Sequence, residues 1–271
     1  MKGGAAIHPS IIDYARFGWQ VLTGFRTRGE RRIAEERRSD LAPHLDRKRS
    51  RRVLDLANGR LQPQCALLRA EGYRTFGVDR VNRSPQGLTG RGDQLARWIY
   101  RRHIPQPGPL LAPHGLIGSD VESLPFRDES FDFITSVAAF EHFRNVPRVL
   151  EEMRRVLRKG GLAWIRIHLF TSISGGHNVN ISEIPLRHIP AGVDPWDHLR
   201  RRKRLISVPL NEWRRDQYLE AFGRYFEIVK HYCAGREGEE FLTPAIETEL
   251  SAYDRDELTC GAYVIVARRR P

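Results

Sequence analysis

Cysteine, lysine and long apolar runs are all in short supply in this chain of 271 residues. Its three cysteines, Cys65, Cys233 and Cys260, are odd in number, far apart and without CxxC or Cys/His ligand spacing. That excludes a disulfide framework, gives no ground to expect a metal site, and fits a reducing, cytoplasmic compartment. No apolar run approaches the roughly 18 residues of a membrane span. The opening MKGGAAIHPSIIDYARFGWQ has one Lys and no apolar core before a small-residue cleavage site, which speaks against a secretory signal. With 40% hydrophobic and 29% charged residues, the composition is that of a folded domain and excludes wholesale disorder.

The scarcity of lysine qualifies the net charge of +12. Only five of the 45 basic residues are Lys, and the Arg are spread through the whole chain. A nucleic-acid surface concentrates charge on one face or arm. Two concentrations exist. Residues 26–52 hold eleven Lys/Arg against five Asp/Glu, a pattern that also suits a solvated helix laced with ion pairs. Residues 200–204 are consecutively basic and suit either a solvated turn or a dock for an anionic substrate.

Periodicity predicts a short aromatic helix over 10–24, a charged helix up to Pro43, and a buried strand at Val53–Leu56 closed by Asn58-Gly59. A helix over 63–70, ended by Gly72, leads into a strand over 75–79. Residues 81–114, with five Pro and four Gly, read as an insertion or lid carrying one short helix at 94–102. Strands follow at 115–119, 131–137 and 162–169, with a helix over 146–158 between the last two. Residues 170–210 lack a regular pattern; beyond them lie a helix at 211–222 and strands at 226–232 and 259–267. The alternation calls for an α/β fold with a mostly parallel sheet, helices on both faces and an antiparallel edge at the end. The expected organisation is a helical cap over 1–50 and one domain over 51–271, decorated at 81–114 and 170–210.

Ligands of such sheets bind outside the carboxyl ends of the strands, near the switch point. Strand one ends in Asp55-Leu56-Ala57-Asn58-Gly59, where a glycine allows close backbone approach. Strand two ends in Asp79, 24 residues after Asp55, near the spacing at which an acid meets ribose hydroxyls. Strand three ends in Asp120. One acid at a strand end is often only a helix cap, but three in register point to a nucleoside site.

The stretch Asp120-Val121-Glu122-Ser123-Leu124-Pro125-Phe126-Arg127-Asp128-Glu129-Ser130-Phe131-Asp132 resembles the DxExLPFxDxSFD segment of class I S-adenosylmethionine (SAM)-dependent methyltransferases. Glu141-His142-Phe143 and Val149-Leu150-Glu151-Glu152-Met153-Arg154-Arg155-Val156-Leu157-Arg158-Lys159-Gly160-Gly161-Leu162 extend the likeness, which is greatest to the ubiquinone/menaquinone-biosynthesis type. The resemblance covers residues 50–170 closely and implies a Rossmann-like class I methyltransferase fold with SAM as cofactor. It places Asp55, Ala57, Asn58 and Gly59 in the loop that holds the methionine moiety. Asp79, with Arg80 beside it, falls at the ribose, Asp120 and Val121 at the adenine, and Ser136, Val137 and Phe140 along the sulfonium and methionine tail. The chain departs from the family's DxGxGxG at Ala57 and Leu61. Ala57 is tolerable if its φ is negative, whereas Leu61 stands where a small residue packs on the first strand.

Methyl transfer to a hydroxyl needs a general base, and histidine is the usual one near neutral pH. Four of the ten histidines (168, 177, 188 and 198) cluster after strand five. His177, in Ser174-Gly175-Gly176-His177-Asn178, has flanking glycines suited to a closing loop, and with His142 it is a candidate catalytic residue. His198 could join His177 around a metal, but no ligand spacing supports it. Trp196 and Trp213 suit either an acceptor wall or core, and the aromatics Tyr14, Phe17 and Trp19 resemble the caps that close over SAM. The leading expectation is methylation of a small-molecule or glycan acceptor at oxygen. The rivals are an RNA methyltransferase and a non-catalytic scaffold whose altered loop no longer binds SAM.

Overall fold

The computed structural model describes residues 18–45, 52–80, 88–104, 115–181, 189–200, 206 and 208–271. Tyr14, Phe17, His188 and the basic residues 201–204 lie outside these.

Among the described residues, seven strands form one sheet: β1 (Arg52–Leu56), β2 (Arg74–Val78), β3 (Leu116–Ile117), β4 (Phe131–Val137), β5 (Leu157–Ile167), β6 (Phe226–Cys233) and β7 (Tyr263–Arg269). Their order is β3-β2-β1-β4-β5-β7-β6. The first five run parallel, and β7 is antiparallel to both neighbours, so the expected antiparallel edge is present. The order reverses between β1 and β4, where parallel strands leave a crevice at their carboxyl ends.

Period-two alternation explains the layers. Leu54 and Leu56 of β1, Ile134 of β4 and Ile165 of β5 face one side. There they meet Val149, Leu150 and Met153 of α4 (Val146–Val156) and Tyr218 and Phe222 of α6 (Arg215–Tyr225), all fully buried. Each such side chain contributes about 1.5–3 kcal/mol over an exposed one. Val53, Phe133, Trp164 and Val264 face the other side with Leu41 of α1 (Phe25–Leu41) and Leu68 of α2 (Pro63–Ala70).

Helix α1 carries few apolar residues and is held by polar anchors instead. Asp40 accepts from Trp164 Nε1 (2.9 Å), Lys230 Nζ (2.6 Å) and the Tyr232 hydroxyl (2.6 Å). Arg37 is buried and bonds Gln64 and Glu71. The helix is therefore anchored to the sheet's second face through Arg37 and Asp40, while Arg28, Arg31, Arg32 and Arg38 stay exposed.

One expectation needs correction, and one open alternative closes. Residues 88–102 form α3 (Leu88–Arg102), a full helix whose Tyr100 is completely buried, and it links the parallel neighbours β2 and β3. A right-handed crossover needs such a helix, so this part of the expected insertion belongs to the core fold. Trp196 is fully buried in a satellite core with Phe170, Ile173 and Leu258, its Nε1 bonded to Leu258 O at 3.3 Å. It is core and not an acceptor wall. The described residues of the irregular 170–210 region include the short α5 (Asp197–Arg200).

Candidate functional site

The turn after β1 uses left-handed backbone at Ala57 (φ 57°), Gly59 (φ 65°) and Gln62 (φ 54°). The condition that would have made Ala57 harmless is not met, and its methyl group carries strain that glycine would not. Leu61 is accommodated because it turns away from β1 into a cluster with Val21, Leu67, Tyr100 and Ile104. The Gly59 amide donates to Asp79 Oδ2 at 2.8 Å, tying the turn to the end of β2. Close packing beneath it demands Gly77, where a Cβ would lie 2.8 Å from both Asn58 Oδ1 and Cys65 Sγ.

A cavity of about 380 Å³ opens at the switch point, lined on one side by Ala57, Asp79, Arg80, Asp120 and Val121. His142, Phe143, Val208 and Pro209 line the other. Arg80 pairs with Asp120, which holds the Asp120 carboxyl below its ordinary value. Asp55, Asn58, Ser136 and Phe140 do not reach this wall. Ser136 is buried and donates to Leu56 O at 2.9 Å, Val137 packs on the second face, and Phe140 is fully buried against Phe143 and Phe222. All three lie behind the wall of this cavity, Ser136 and Val137 at the end of β4 and Phe140 in the turn beyond it.

Asp55 faces α1 and α2 beneath the turn and is 2% exposed. Burial pushes its carboxyl up to about 7, against the pull of the Cys65 thiol and Arg37. Its Oδ2 is buried without a hydrogen-bond partner.

Past β4, the short turn Phe140–His142 places Glu141 and His142 at the strand ends. His142 Nδ1 stands 2.9 Å from Pro209 O. A carbonyl accepts only, so Nδ1 carries the proton and Nε2 keeps its lone pair. Burial holds the His142 pKa below its ordinary value. The His177 ring meets it edge-on at 5.0 Å, and His168 follows at 6.2 Å from His177. Burial, with His142 and His198 adding to it, drives His177 down to about 4. Burial raises the Glu141 carboxyl to about 8.

The glycines before His177 are not hinges. A Cβ on Gly175 would overlap the Leu169 carbonyl oxygen, and one on Gly176 would overlap the His198 ring. Gly176 N–H bonds Ser172 O at 3.0 Å, and Ser174 is held by Glu237 through its amide (2.6 Å) and hydroxyl (2.8 Å). His177 is thus presented, at φ 43°, by a tightly packed turn. His198 Nε2 faces Phe170 O at 2.8 Å and supports that turn from below.

Behind the histidines lies a second cavity of about 610 Å³, lined by residues including Arg166, His168, Ser174, Arg236, Glu237 and Phe241. Sequence reasoning missed Glu141 and His168 as members of this constellation; the signal was Glu141 in the motif and His168 at the end of β5. It also missed Arg37 and Cys65 under Asp55, for which no linear signal existed.

The strand order and the crevice define a Rossmann-like α/β fold of the class I methyltransferase kind. Residues 54–165 match the family described as a methyltransferase domain, and the match bears out SAM as the expected cofactor. It is similar to a phthiotriol/phenolphthiotriol dimycocerosates methyltransferase of Mycobacterium leprae, 44% identical over 45 residues that cover 17% of each chain. It is likewise similar to the demethylmenaquinone methyltransferase of Thermotoga maritima, 49% identical over 45 residues covering 17% of this chain and 20% of the relative. The chain thus spans about a fifth of the length of these curated relatives. A solved SAM-dependent methyltransferase from Thermotoga maritima shares the fold, with a TM-score of 0.51 and 16% identity over 96% of both chains. Among the described residues, no helix is long and apolar enough to cross a membrane.

The residues present suit SAM. An unpartnered, buried Asp55 oxygen below a positive-φ turn fits a cationic amino group, and Asp79 at the cavity wall fits vicinal hydroxyls.

Proposed function

We propose that this chain transfers the methyl group of SAM to an oxygen of a small-molecule or glycan acceptor. SAM supplies an electrophilic methyl on a sulfonium, and displacement at that carbon disperses charge, so the chain's part is alignment, exclusion of water and removal of one proton. Asp79 and Asp120 serve the nucleoside, and the Asp55 carboxyl serves the methionine end.

The observation that carries the reading is His142 at the cavity wall. With Nδ1–H directed to Pro209 O and its pKa lowered by burial, His142 is neutral at pH 7 and offers Nε2 to an acceptor hydroxyl. His177 is too weakly basic to store that proton and instead positions His142 and the acceptor. The second cavity, next to His168, is roomy enough for a sugar or polyol. The two curated relatives are named for different acceptors, a phthiotriol and a demethylmenaquinone, so the shared 45 residues do not specify one.

The RNA reading draws less support. It asks for one contiguous Arg face, yet Arg37 is buried and Arg200 is engaged by both Asp194 and Glu249. The three cysteines are free thiols, which supports a reducing compartment.

The test is calorimetric titration with SAM and S-adenosylhomocysteine, followed by S-adenosylhomocysteine release with hydroxyl-bearing, amine-bearing and RNA acceptor panels. Turnover with hydroxyl acceptors that His142→Ala lowers at least 100-fold supports the proposal. Absence of SAM binding by folded protein, or turnover confined to amines or RNA, overturns it.

A further inference from the structure

We infer that Glu141, His168 and His177 form a binding site for one divalent transition-metal ion of the Zn²⁺ class. One ligand atom from each of the three lies within 4.8 Å of the other two. They come from separate elements: the turn after β4, the end of β5, and the packed turn at 174–177. Linear spacing therefore carried no trace of the cluster.

Two observations point inward to a missing cation. Glu141 is 2% exposed, and neither of its carboxylate oxygens receives a well-formed hydrogen bond, although the backbone amides of Glu141 and His168 point toward it. A buried carboxylate left this way costs several kcal/mol unless a cation or proton compensates it. His177 Nε2 is likewise buried without a partner. An ion pair between Glu141 Oε1 and His168 Nδ1, 3.5 Å apart, accounts for one oxygen and leaves His177 unexplained. A single metal accounts for all three.

The donor set selects the ion. Two imidazole nitrogens and one carboxylate, with no thiolate, favour Zn²⁺, Co²⁺, Mn²⁺ or Fe²⁺ over Mg²⁺ or Ca²⁺. Metal–ligand bonds of about 2.0–2.2 Å put neighbouring tetrahedral donors about 3.3 Å apart, so closure from the observed spacing needs shifts of about 1 Å. His142 and His198 stay outside, since only Glu141, His168 and His177 bring ligand atoms within 4.8 Å of one another. Three protein ligands leave at least one position open, as in metal sites that bind a reactant. The turn that carries His177 is braced by Ser172, Ser174 and Glu237, the kind of outer support that fixes a ligand's orientation.

The cluster lies between the two cavities: His142 next to it lines the first, and His168 lines the second. On the reading of the preceding section, an acceptor hydroxyl reaching from the second cavity would bind the open position, where the ion would lower its pKa beside His142 Nε2. The metal site itself does not depend on that reading.

The test is titration of chelator-stripped, full-length protein with Zn²⁺ by calorimetry and with Co²⁺ by visible absorption, each repeated on His177→Ala, His168→Ala and Glu141→Gln. Expected is one equivalent of tightly bound metal, weakened at least tenfold in each variant. Circular dichroism melts check folding, and the half-buried His168 and His177 carry the test should Glu141→Gln misfold. SAM titration of the same samples separates the two proposals. Folded protein that binds SAM but not Zn²⁺ or Co²⁺ overturns the metal site and leaves the methyltransferase reading standing. Metal binding without SAM binding does the reverse. Metal binding unchanged in the folded His177→Ala and His168→Ala variants overturns the assignment to these residues.

Discussion

Asp79 Oδ2 accepts the Gly59 amide at 2.8 Å, so the acid at the end of β2 holds the turn after β1 as well as facing the cavity. Replacing it removes both roles. Asp79→Ala is expected to weaken SAM binding at least tenfold by calorimetry and to cost roughly 1–3 kcal/mol of stability in a denaturant melt. Intact affinity in the variant would remove Asp79 from the site.

Ala57 sits at φ 57° where the DxGxGxG loop it resembles has glycine. Left-handed backbone costs an L-residue roughly 1–2 kcal/mol, partly offset by the greater unfolded-state freedom of glycine. Ala57→Gly should therefore gain about 0.5–1 kcal/mol, a rise of about 1–4 °C in melting temperature. SAM affinity should be equal or higher. A lower melting temperature would show that the methyl group is packed to advantage.

The buried Asp55 carboxyl has its pKa raised to about 7, above the unfolded value near 4. Between those values the folded state binds the extra proton, so this group's contribution is full below about pH 4 and fades as pH rises to 7. The loss is of the order of 4 kcal/mol. Asp55→Asn should flatten this descent in melts taken from pH 4 to 7 without SAM. An unchanged slope would mean that Asp55 is ionised throughout.

Gly175 has no room for a methyl group against the Leu169 carbonyl. Gly175→Ala should destabilise the chain by about 3 kcal/mol, through displacement of the turn that bears His177. If the loop were a hinge, the variant would melt like the parent.

Much of the fold was legible because α4 and strands β1, β4 and β5 carry dense apolar periodicity, which local propensity reinforces. The segment 120–162, the most specific part of the sequence, turns out to be chiefly a brace. Arg155 bonds Phe126 O (2.7 Å), Leu124 O (2.9 Å) and Asp128 (2.9 Å), Glu152 accepts the Leu124 amide (2.8 Å), and Asp132 accepts the Arg52 amide (2.7 Å). Only Asp120, Val121 and Glu122 at its start and His142, Phe143 and Arg144 in its middle reach the cavity. What stayed hidden was long-range or conformational. The sign of φ at Ala57 is set by the turn's closure on Val78 and Asp79, and the meeting of Glu141, His168 and His177 is set by how three chain segments converge at the sheet edge. Helix α3 was foreshortened because Gly90 and Gly92 mimic loop composition, although burial of Tyr100 and Ile104 overrides them.

The anchoring of Asp40 bears on how the molecule comes apart. One carboxylate near the start of the chain satisfies the indole of Trp164 on β5 and two side chains of β6 near its end. The stretch that matches the methyltransferase family, 54–165, accordingly lacks its own boundary: detaching α1 orphans a buried indole N–H and bares the sheet face over β5 and β7. Such cross-chain dependence makes one cooperative foldon of cap and sheet. A chain starting at residue 51 should bind hydrophobic dye and lack a sharp melt, whereas the complete chain should lose protection from amide exchange in α1 and β7 together.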